Sequence, residues 1–339
     1  MSTGTTRGRA AALAVALLPL AACQSPATPQ ACLAAPATDG THAGMVRLAG
    51  GTFTMGAAAE RAEEGPPRQV RVGAFWIDAT EVTNAQFARF VEATGYRTLA
   101  ERGLSAETYP GLSAAARAPA SLVFVGADAK DRGDPGAWWR IVPGADWRHP
   151  KGPGSSLRGL ENHPVVHIAY EDALAYARWR GRDLPTEAEW EFAARGGLEG
   201  AAFVWGDEKG QAARANTWQG VFPVADTGDD GHAGKTAPVG CFAPNGYGLY
   251  DMAGNVWEWT RDWYAPGLEP AAVIETGGPP QSRARAPGDP GLAKHVIKGG
   301  SFLCADDYCY RYRPAARTPG PPDSGASHLG FRTVLREAG

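Results

Sequence analysis

The chain of 339 residues is poor in cysteine and methionine, with five and four residues, and it contains no block of basic residues. Its formal net charge is −3, and without a basic cluster the sequence does not support nucleic-acid binding. It also lacks a glycine-rich phosphate loop, a Gly-x-Ser-x-Gly elbow and a dinucleotide fingerprint. These absences exclude the usual signatures of nucleotide-dependent enzymes and of α/β-hydrolases.

Glycine, proline and tryptophan are abundant instead, with 44, 27 and 11 residues spread through the chain. Glycine and proline at this level predict many turns and few long regular elements. The hydrophobic fraction of 44% is sufficient for a core, and tryptophan interleaved with the turns argues against disorder. Residues 265–293 are predicted to form a surface loop. We therefore predict one compact, loop-rich α+β domain with little regular secondary structure.

Helices are predicted at three places where apolar residues recur with a helical period. Thr83 or Asn84 can cap a helix that ends at Gly95, and a second helix is predicted over residues 170–179. Thr186 and Glu189 have the spacing of a capping box, which indicates the start of a third helix.

The N-terminus has the order of charges and apolar residues that is typical of an export signal. Two arginines precede a short apolar run, and small residues lead to Cys23, which is similar to a bacterial lipoprotein signal. We interpret residues 1–22 as a lipoprotein-type signal peptide, 23–43 as a flexible tether and 44–339 as the folded domain. Cys32 then lies in the tether and outside any site. The protein is expected to be an exported, membrane-anchored bacterial lipoprotein on the periplasmic or extracytoplasmic face, and an ordinary secretory signal is the alternative.

Two of the five cysteines, Cys304 and Cys309, stand five positions apart among glycine, serine, tyrosine and arginine. Outside the cytoplasm disulfides form and persist, so a structural disulfide is one interpretation. Two thiolates with no other soft ligand nearby also suit a low-coordinate Cu(I) site. Zinc would need four ligands, and only Cys241 together with a histidine would complete them. Composition and spacing leave a disulfide, a metal site and a redox centre open.

Two turn-rich segments carry the oxygen donors that calcium requires. The first combines Asn216 with the acidic stretch 226–232, and the second is Gly-Asn-Val-Trp-Glu at 254–258. By themselves both segments are also compatible with solvated acidic turns. His163 and His167 are four positions apart, but a proline after the first makes their segment extended, so a structural role is favoured over a zinc pair.

Many short motifs follow one another in a recognisable order across residues 45–336. They include Gly50-Gly-Thr-Phe-Thr-Met-Gly56, Glu81-Val-Thr-Asn84, Leu184-Pro-Thr-Glu-Ala-Glu-Trp-Glu191, Asn216-Thr-Trp-Gln-Gly-Val-Phe-Pro223, Gly254-Asn-Val-Trp-Glu-Trp259 and Lys298-Gly-Gly-Ser-Phe-Leu-Cys304. Together they resemble the formylglycine-generating enzymes, which oxidise a cysteine of sulfatases to formylglycine. The fold that this resemblance implies is a single loop-rich α+β domain of the formylglycine-generating-enzyme type, similar to C-type lectins.

The resemblance implies an oxidase that uses Cu(I), Ca²⁺ and dioxygen. Copper would be bound by Cys304 and Cys309. The residues that line the site near copper and substrate would be Ser301, Trp259 and Tyr308. The ligands of one calcium ion would be Asn216, Thr217, Asp230 and His232. The residues around a second calcium ion would be Gly254, Asn255, Val256 and Glu258. The partner would be an unfolded or nascent sulfatase-type polypeptide that carries Cys-x-Pro-x-Arg, and the enzyme is expected to be a monomer that touches the membrane only through its lipid anchor.

Relatives without the activity share this fold, so the alternative is a lipid-anchored binding or assembly module in which the cysteine pair is a permanent disulfide. Vertebrate members carry extra disulfides, and their cysteine positions fall here on Ala194, Pro314 and Thr333. Cys241 therefore has no obvious partner, and we expect packing and calcium to hold the domain together. An exported enzyme would meet its substrate outside the cytoplasm, so the natural substrate is expected to differ from a typical cytosolic nascent sulfatase.

Overall fold

The computed structural model describes residues 1, 2, 4, 32–34, 39–267 and 293–337. Most of the predicted signal peptide, of the predicted tether and of the predicted surface loop lies outside these residues. Within the described part, no helix is long and apolar enough to cross a membrane. The described residues from Cys32 onward belong to one compact unit.

The described residues form the α-helices α1 (Asn84–Thr94), α2 (Leu99–Arg102), α3 (Pro135–Trp138), α4 (Tyr170–Trp179) and α5 (Glu187–Arg195). The three predicted helices are confirmed as α1, α4 and α5. Thr83 caps α1 by accepting a hydrogen bond from the Gln86 N–H, and Gly95 ends the helix with a φ of 66°. Thr186 and Glu189 form the predicted capping box of α5. The sequence does not predict α2 and α3, because four residues cannot show a helical period.

The strands in the described residues are β1 (Met45–Leu48), β2 (Gly51–Met55), β3 (Arg68–Val72), β4 (Phe75–Asp78), β5 (Ala120–Phe124), β6 (Trp139–Pro143), β7 (Gly220–Val221), β8 (Ala225–Asp226), β9 (Trp257–Trp263), β10 (His295–Lys298), β11 (Thr318–Gly320), β12 (Leu329–Gly330) and β13 (Val334–Arg336). They form a sheet in the order β1-β4-β13, a second in the order β11-β10-β9-β12, and the pairs β2-β3, β5-β6 and β7-β8. In the second sheet β10 is antiparallel to β9 and β11, whereas β12 is parallel to β9. Short strands in small sheets confirm the loop-rich α+β fold.

Two large hydrophobic clusters form most of the core. One surrounds Phe87 of α1 and Tyr176 of α4, and it also contains Trp259 of β9 and Cys304. The other is built by strands β2, β3 and β4 together with Trp190 of α5. The helices pack here because their apolar residues recur every three to four positions. Since Cys304 belongs to the first cluster, the candidate site lies at the edge of the core.

Irregular segments are joined by ion pairs that are almost completely buried. Arg332 donates two hydrogen bonds of 2.7 Å to the Glu258 carboxylate, and the Trp190 indole N–H donates to the same carboxylate at 2.7 Å. Arg317 and Glu187 form a second bidentate pair at 2.7 and 2.9 Å. Removing one member of such a pair costs about 3–5 kcal/mol, because the other charge is left buried. These pairs therefore attach the irregular segments that carry Arg317 and Arg332 to α5 and β9.

Cys32 and Cys241 form a disulfide, with Cα atoms 3.9 Å apart. This finding corrects two predictions, that Cys241 has no partner and that Cys32 lies outside any site. The Leu33 N–H donates to the Gly240 carbonyl at 3.1 Å, and Asn162 Nδ2 donates to the Leu33 carbonyl at 3.3 Å. Residues 32–34 are thus part of the folded unit. A covalent link between positions 209 residues apart adds to the packing that the sequence leads us to expect.

The structural interpretation of His163 and His167 is confirmed, because each ring has its own partners. His163 Nδ1 lies 2.9 Å from Thr236 Oγ1, whereas His167 contacts Ser121 Oγ at 2.8 Å and the Pro150 carbonyl at 2.9 Å. Burial lowers the pKa of both histidines to about 4. Both rings are therefore neutral hydrogen-bonding groups at neutral pH.

Candidate active site

The candidate site begins where β10 ends, at a turn formed by Gly299 and Gly300. Their φ angles are 93° and 74°, in a region that glycine adopts without steric cost. A Cβ atom on Gly300 would lie 3.0 Å from the backbone of Tyr312, so the two segments pass too closely for a side chain. The turn leads to the fully buried Ser301, whose carbonyl accepts from the Cys304 N–H at 2.9 Å. Backbone geometry thus fixes the first cysteine.

Cys304 and Cys309 come together at the two ends of a tight loop. Their Cα atoms are 4.7 Å apart, and their sulfur atoms are paired as a disulfide. The loop closes on the Ala305 carbonyl, which accepts from the Tyr310 N–H at 2.9 Å and from the Tyr308 N–H at 3.3 Å. Cys304 is 1% exposed, and Cys309 is partly exposed. The structure therefore brings the predicted pair into contact, with one residue in the core and the other nearer to solvent.

The two predicted aromatic residues differ in exposure. The Tyr308 side chain is half exposed, and its ring stacks on Phe222 at a centroid distance of 4.4 Å and meets Trp138 edge-on at 5.3 Å. Partial burial raises the pKa of the Tyr308 hydroxyl, which therefore stays protonated at neutral pH. Trp259 is fully buried, and its indole N–H donates to the Ile168 carbonyl at 2.9 Å. Tyr308 is accessible to a ligand from solvent, while Trp259 supports the site from the core.

The sulfur donors fit a soft metal of low coordination number and do not fit tetrahedral zinc. In the part of the chain that the structure describes, no group of three or more histidine, cysteine, aspartate or glutamate side chains is arranged to hold a metal. Cys241, the further thiol that zinc would need, is bonded to Cys32. After reduction, Cys304 and Cys309 would offer two thiolates, which is a donor set that Cu(I) accepts.

An open groove of about 620 Å³ is connected to the site through one of its walls, Trp218. The Trp218 ring packs edge-on against Phe222, and its backbone N–H donates to the Cys304 carbonyl at 3.0 Å. The charged residues along the groove are Asp128, Asp131, Arg140 and Lys151. A smaller pocket of about 180 Å³ shares Phe124 with the groove and reaches Phe302, two residues before Cys304. An open, charged groove of this size suits an extended polypeptide better than a small molecule, whose sites are mostly apolar and enclosed.

Asp230 forms hydrogen bonds with two other residues of the first predicted calcium set. Its carboxylate accepts from the Thr217 N–H at 3.1 Å and from the His232 N–H at 2.8 Å. The neighbouring Asn216 has its side-chain oxygen buried without a hydrogen-bond partner. Such an unsatisfied oxygen costs about 1–3 kcal/mol, which a bound cation would offset. Amide, carbonyl and carboxylate oxygens in one turn are a donor set that fits calcium.

Two side chains of the second predicted calcium set have hydrogen-bond partners within the protein, and the set stays a prediction. Both oxygens of Glu258 serve the ion pair described above, and Asn255 Oδ1 accepts from Asn216 Nδ2 at 3.0 Å. The unpartnered oxygens belong to two residues that the sequence does not single out, since both oxygens of Glu81 and Oδ1 of Asp251 are buried without a hydrogen-bond partner. The sequence signal that could have indicated them is their position: Glu81 opens the Glu-Val-Thr-Asn motif, and Asp251 lies in the turn before 254–258.

The acidic cluster of Glu81, Asp251 and Glu258 faces a single buried guanidinium, that of Arg332. Burial raises the pKa of Asp251, and burial followed by the charge of Asp251 raises the pKa of Glu81. Three buried carboxylates with one cation leave negative charge unbalanced, which is unfavourable in a protein interior. The three side chains are not arranged as a metal site by themselves, so a divalent cation here would use the unpartnered oxygens of Glu81 and Asp251 together with backbone oxygens.

Gly254 and Val256 complete the second set without offering side-chain ligands. Gly254 has a φ of 78°, and a Cβ atom there would lie 2.2 Å from the Asn216 carbonyl oxygen. Val256 is fully buried. The close approach at Gly254 brings the two sets of oxygen donors side by side, so that a change at one is expected to disturb the other.

The fold is shared with solved structures of other proteins. PvdO from Pseudomonas aeruginosa superposes with a TM-score of 0.59 at 24% identity, covering 86% of this chain and 94% of its own. Treponema denticola variable protein 1 gives a TM-score of 0.54 at 20% identity, covering 86% and 95%. At these identities the similarity shows the fold alone, and it defines the chain as a member of a known class of loop-rich α+β domains.

Sequence comparison identifies the family. The family described as "Sulfatase-modifying factor enzyme 1-like domain" matches residues 30–337. Proteins named formylglycine-generating enzyme from Thermomonospora curvata and Mycobacterium tuberculosis are 51% and 50% identical, covering 85% and 86% of this chain and 92% and 97% of their own. A mouse protein named inactive Cα-formylglycine-generating enzyme 2 is 42% identical, covering 85% and 84%. The chain belongs to the formylglycine-generating enzyme family of sulfatase-modifying factors.

Proposed function

We propose that the protein is an oxidase that converts the cysteine of a Cys-x-Pro-x-Arg sequence, in a sulfatase-type polypeptide, to formylglycine. The observation that carries this proposal is the contact between Cys304 and Cys309, in a chain that matches relatives named formylglycine-generating enzyme along 85% of its length. Because the family also contains a protein named inactive, membership alone does not establish catalysis. The paired cysteines at the core boundary are what support it.

In this proposal the thiolates of Cys304 and Cys309 hold Cu(I), and the thiol of the substrate approaches them. Bound copper would supply one-electron chemistry with dioxygen, which no amino-acid side chain of the site provides. The groove beside Trp218 would bind the extended substrate chain. The exposed ring of Tyr308 would pack against it at the mouth of the site, and the buried Trp259 would keep the cysteine segment in place.

The chemistry balances when an external thiol contributes electrons. Forming a thioaldehyde removes two electrons and two protons from the substrate cysteine, and reduction of dioxygen to water takes up four electrons. Two reducing equivalents must therefore come from a thiol reductant. Water then adds to the thioaldehyde, and hydrogen sulfide leaves to give the aldehyde of formylglycine. The chain's own task is to orient the thiol and to exclude competing reactions of it.

We also propose two structural calcium sites. The first has the predicted ligands around Asp230, supported by the unpartnered side-chain oxygen of Asn216. The second is centred on Glu81 and Asp251, and the nearby carboxylate of Glu258 adds negative charge. In a loop-rich fold these ions would take the place of sheet hydrogen bonds, because each joins segments that are distant in sequence.

The proposed setting is outside the cytoplasm, with the enzyme acting as a monomer that is anchored by a lipid at Cys23. The order of residues at the N-terminus supports this proposal. The disulfide between Cys32 and Cys241 adds support, since disulfides persist mainly in oxidising compartments. The cysteine-bearing substrate would accordingly be met in an exported, unfolded state.

Incubation of the copper-loaded protein with a Cys-x-Pro-x-Arg peptide, oxygen and a thiol reductant tests the proposal. Mass spectrometry is expected to show loss of the thiol and gain of an aldehyde. Cys309→Ser is expected to abolish turnover. The matched control replaces Cys32 and Cys241 by serine, which removes the other disulfide; it lowers stability, but turnover assayed in calcium and well below its thermal midpoint should persist. An unchanged peptide, under conditions where a relative converts it, would show that the proposal is wrong.

A second candidate function is a non-catalytic, lipid-anchored binding module. It is favoured by the pairing of Cys304 and Cys309 as a disulfide, because a disulfide offers no thiolates to copper and leaves the groove free for binding. Titration of free thiols after mild reduction, followed by Cu(I) binding, separates the two candidates. A pair that resists reduction and does not take up copper favours the binding module.

A further inference from the structure

Tyr310, which follows Cys309, has a left-handed backbone with a φ of 43°. Aromatic L-residues rarely adopt this region because their Cβ atom crowds the following carbonyl. The conformation lets the Tyr310 N–H reach the Ala305 carbonyl at 2.9 Å and so closes the cysteine loop. Strained backbone of this kind persists only where surrounding groups enforce it. The loop that carries Cys309 therefore needs a support.

Arg313 provides this support. Its Nε atom donates to the Tyr310 carbonyl at 3.0 Å, and its guanidinium lies 5.4 Å from the centre of the Tyr310 ring. Glu64 fixes Arg313 in turn, through two hydrogen bonds of 2.6 and 2.9 Å between fully buried groups. A bidentate pair sets the plane of the guanidinium. The position of Arg313, and with it the Tyr310 carbonyl, thus depends on Glu64.

The neighbours of Glu64 reach the same loop. Arg61 Nη2 donates to the Cys309 carbonyl at 3.4 Å, and Glu63 accepts from Arg311 at 2.7 Å. Both contacts join positions 248 residues apart in sequence. The short segment 61–64 therefore contacts Cys309, Arg311 and Arg313, and Glu64 makes the most buried of these contacts.

We propose that Glu64 is a positioning residue for Cys309. Acting through Arg313, it stabilises the left-handed backbone of Tyr310 and thereby keeps the sulfur of Cys309 at pairing distance from that of Cys304. Two measurable properties follow: the equilibrium between dithiol and disulfide, and the affinity of the dithiol for Cu(I). The second property rests on the proposed function, whereas the first is a property of the fold.

Exchange with glutathione measures the first property. The reduced dithiol and glutathione disulfide give the protein disulfide and two molecules of reduced glutathione, so two electrons and two protons pass to glutathione. Alkylation and mass spectrometry of the Cys304–Cys309 peptide follow this pair alone. We expect Glu64→Gln to lower the equilibrium constant roughly tenfold. The control Asp78→Asn breaks the buried pair of Asp78 with Arg182, in the three-stranded sheet, and is expected to leave the constant unchanged.

A second comparison does not depend on the folding of the Glu64 variant. Tyr310→Gly and Tyr310→Ala remove the same ring, but only glycine adopts a positive φ freely. We expect the glycine variant to have the larger disulfide constant, by roughly five- to tenfold, and to bind Cu(I) more tightly in competition with a bicinchoninate chelator. Equal disulfide constants for the two variants, or a wild-type constant for Glu64→Gln, would overturn the inference. If the wild-type protein binds Cu(I) but leaves the peptide unchanged, the proposed function fails, and the exchange constants still decide the role of Glu64.

Discussion

Removal of the disulfide between Cys32 and Cys241 is expected to destabilise the domain more than any other single cross-link change in the described structure. The bond joins residues 209 positions apart. The loss of chain entropy on closing a loop of that length corresponds to a stabilisation of about 5 kcal/mol, and measured values for native disulfides are often ~2–4 kcal/mol. For the double replacement Cys32→Ser with Cys241→Ser we expect a loss of about 3–5 kcal/mol.

Local contacts contribute to the same loss. Without the disulfide, Leu33 keeps its hydrogen bonds with Gly240 and Asn162 but loses the covalent link beside them. Each of these hydrogen bonds is worth about 1 kcal/mol. Gly240 also donates its N–H to Asp251 Oδ2 at 2.6 Å. The residue before Cys241 therefore contacts the acidic cluster directly. The double variant is for this reason expected to bind calcium more weakly as well.

Guanidinium denaturation followed by tryptophan fluorescence measures the free energy of unfolding. The matched control replaces Cys304 and Cys309 by serine, which opens a loop of only five residues, for which the same relation gives about 2 kcal/mol. If the variant without the Cys32–Cys241 bond loses no more stability than this control, the N-terminal segment does not contribute to the folded unit and the reasoning is refuted.

Three further predictions concern the calcium sites and a buried histidine. Gly254→Ala places a Cβ atom 2.2 Å from the Asn216 carbonyl, so the thermal midpoint should fall by several degrees, for a cost of about 2 kcal/mol or more; an unchanged midpoint would contradict it. Chelation of calcium should lower the midpoint of the wild-type protein, and Asn216→Ala should reduce that response. Burial lowers the pKa of His328 to about 3, so the unfolded chain binds a proton below about pH 6.5 that the folded protein refuses, and stability falls as the pH decreases from there. The difference in free energy of unfolding between His328→Gln and the wild type should change by about 3 kcal/mol in favour of the variant from pH 7 to pH 4. Parallel plots of this free energy against pH for the two proteins would contradict the prediction.

Local signals in the sequence were sufficient to predict α1, α4 and α5 and to single out the cysteine pair. The caps at Thr83 and Thr186 are satisfied by groups three residues away, so a short window contains the whole interaction. Cys304 and Cys309 are five positions apart, so their contact closes a short local loop. Such features can be predicted because the partners are neighbours in the chain.

The remaining features depend on contacts between distant positions, for which one sequence gives no periodic signal. The partner of Cys241 lies 209 residues away, and the pairing of Glu64 with Arg313 spans 249. The unpartnered oxygens of Glu81 and Asp251 become visible only when burial is known, because the same residue types in a solvated turn would need no cation. Tertiary structure, rather than local pattern, distinguishes these cases.

The central claim is that Cys304 and Cys309 form a catalytic dithiol. Its most direct test is to trap the aldehyde product with an aminooxy reagent, after a Cys-x-Pro-x-Arg peptide has been incubated with the copper-loaded protein, oxygen and reductant. The account predicts trapped peptide with the wild-type protein, and none with Cys309→Ser or with a peptide in which serine replaces the cysteine. Trapped product from Cys309→Ser, or its absence from the wild-type protein with Cu(I) bound, would contradict the claim.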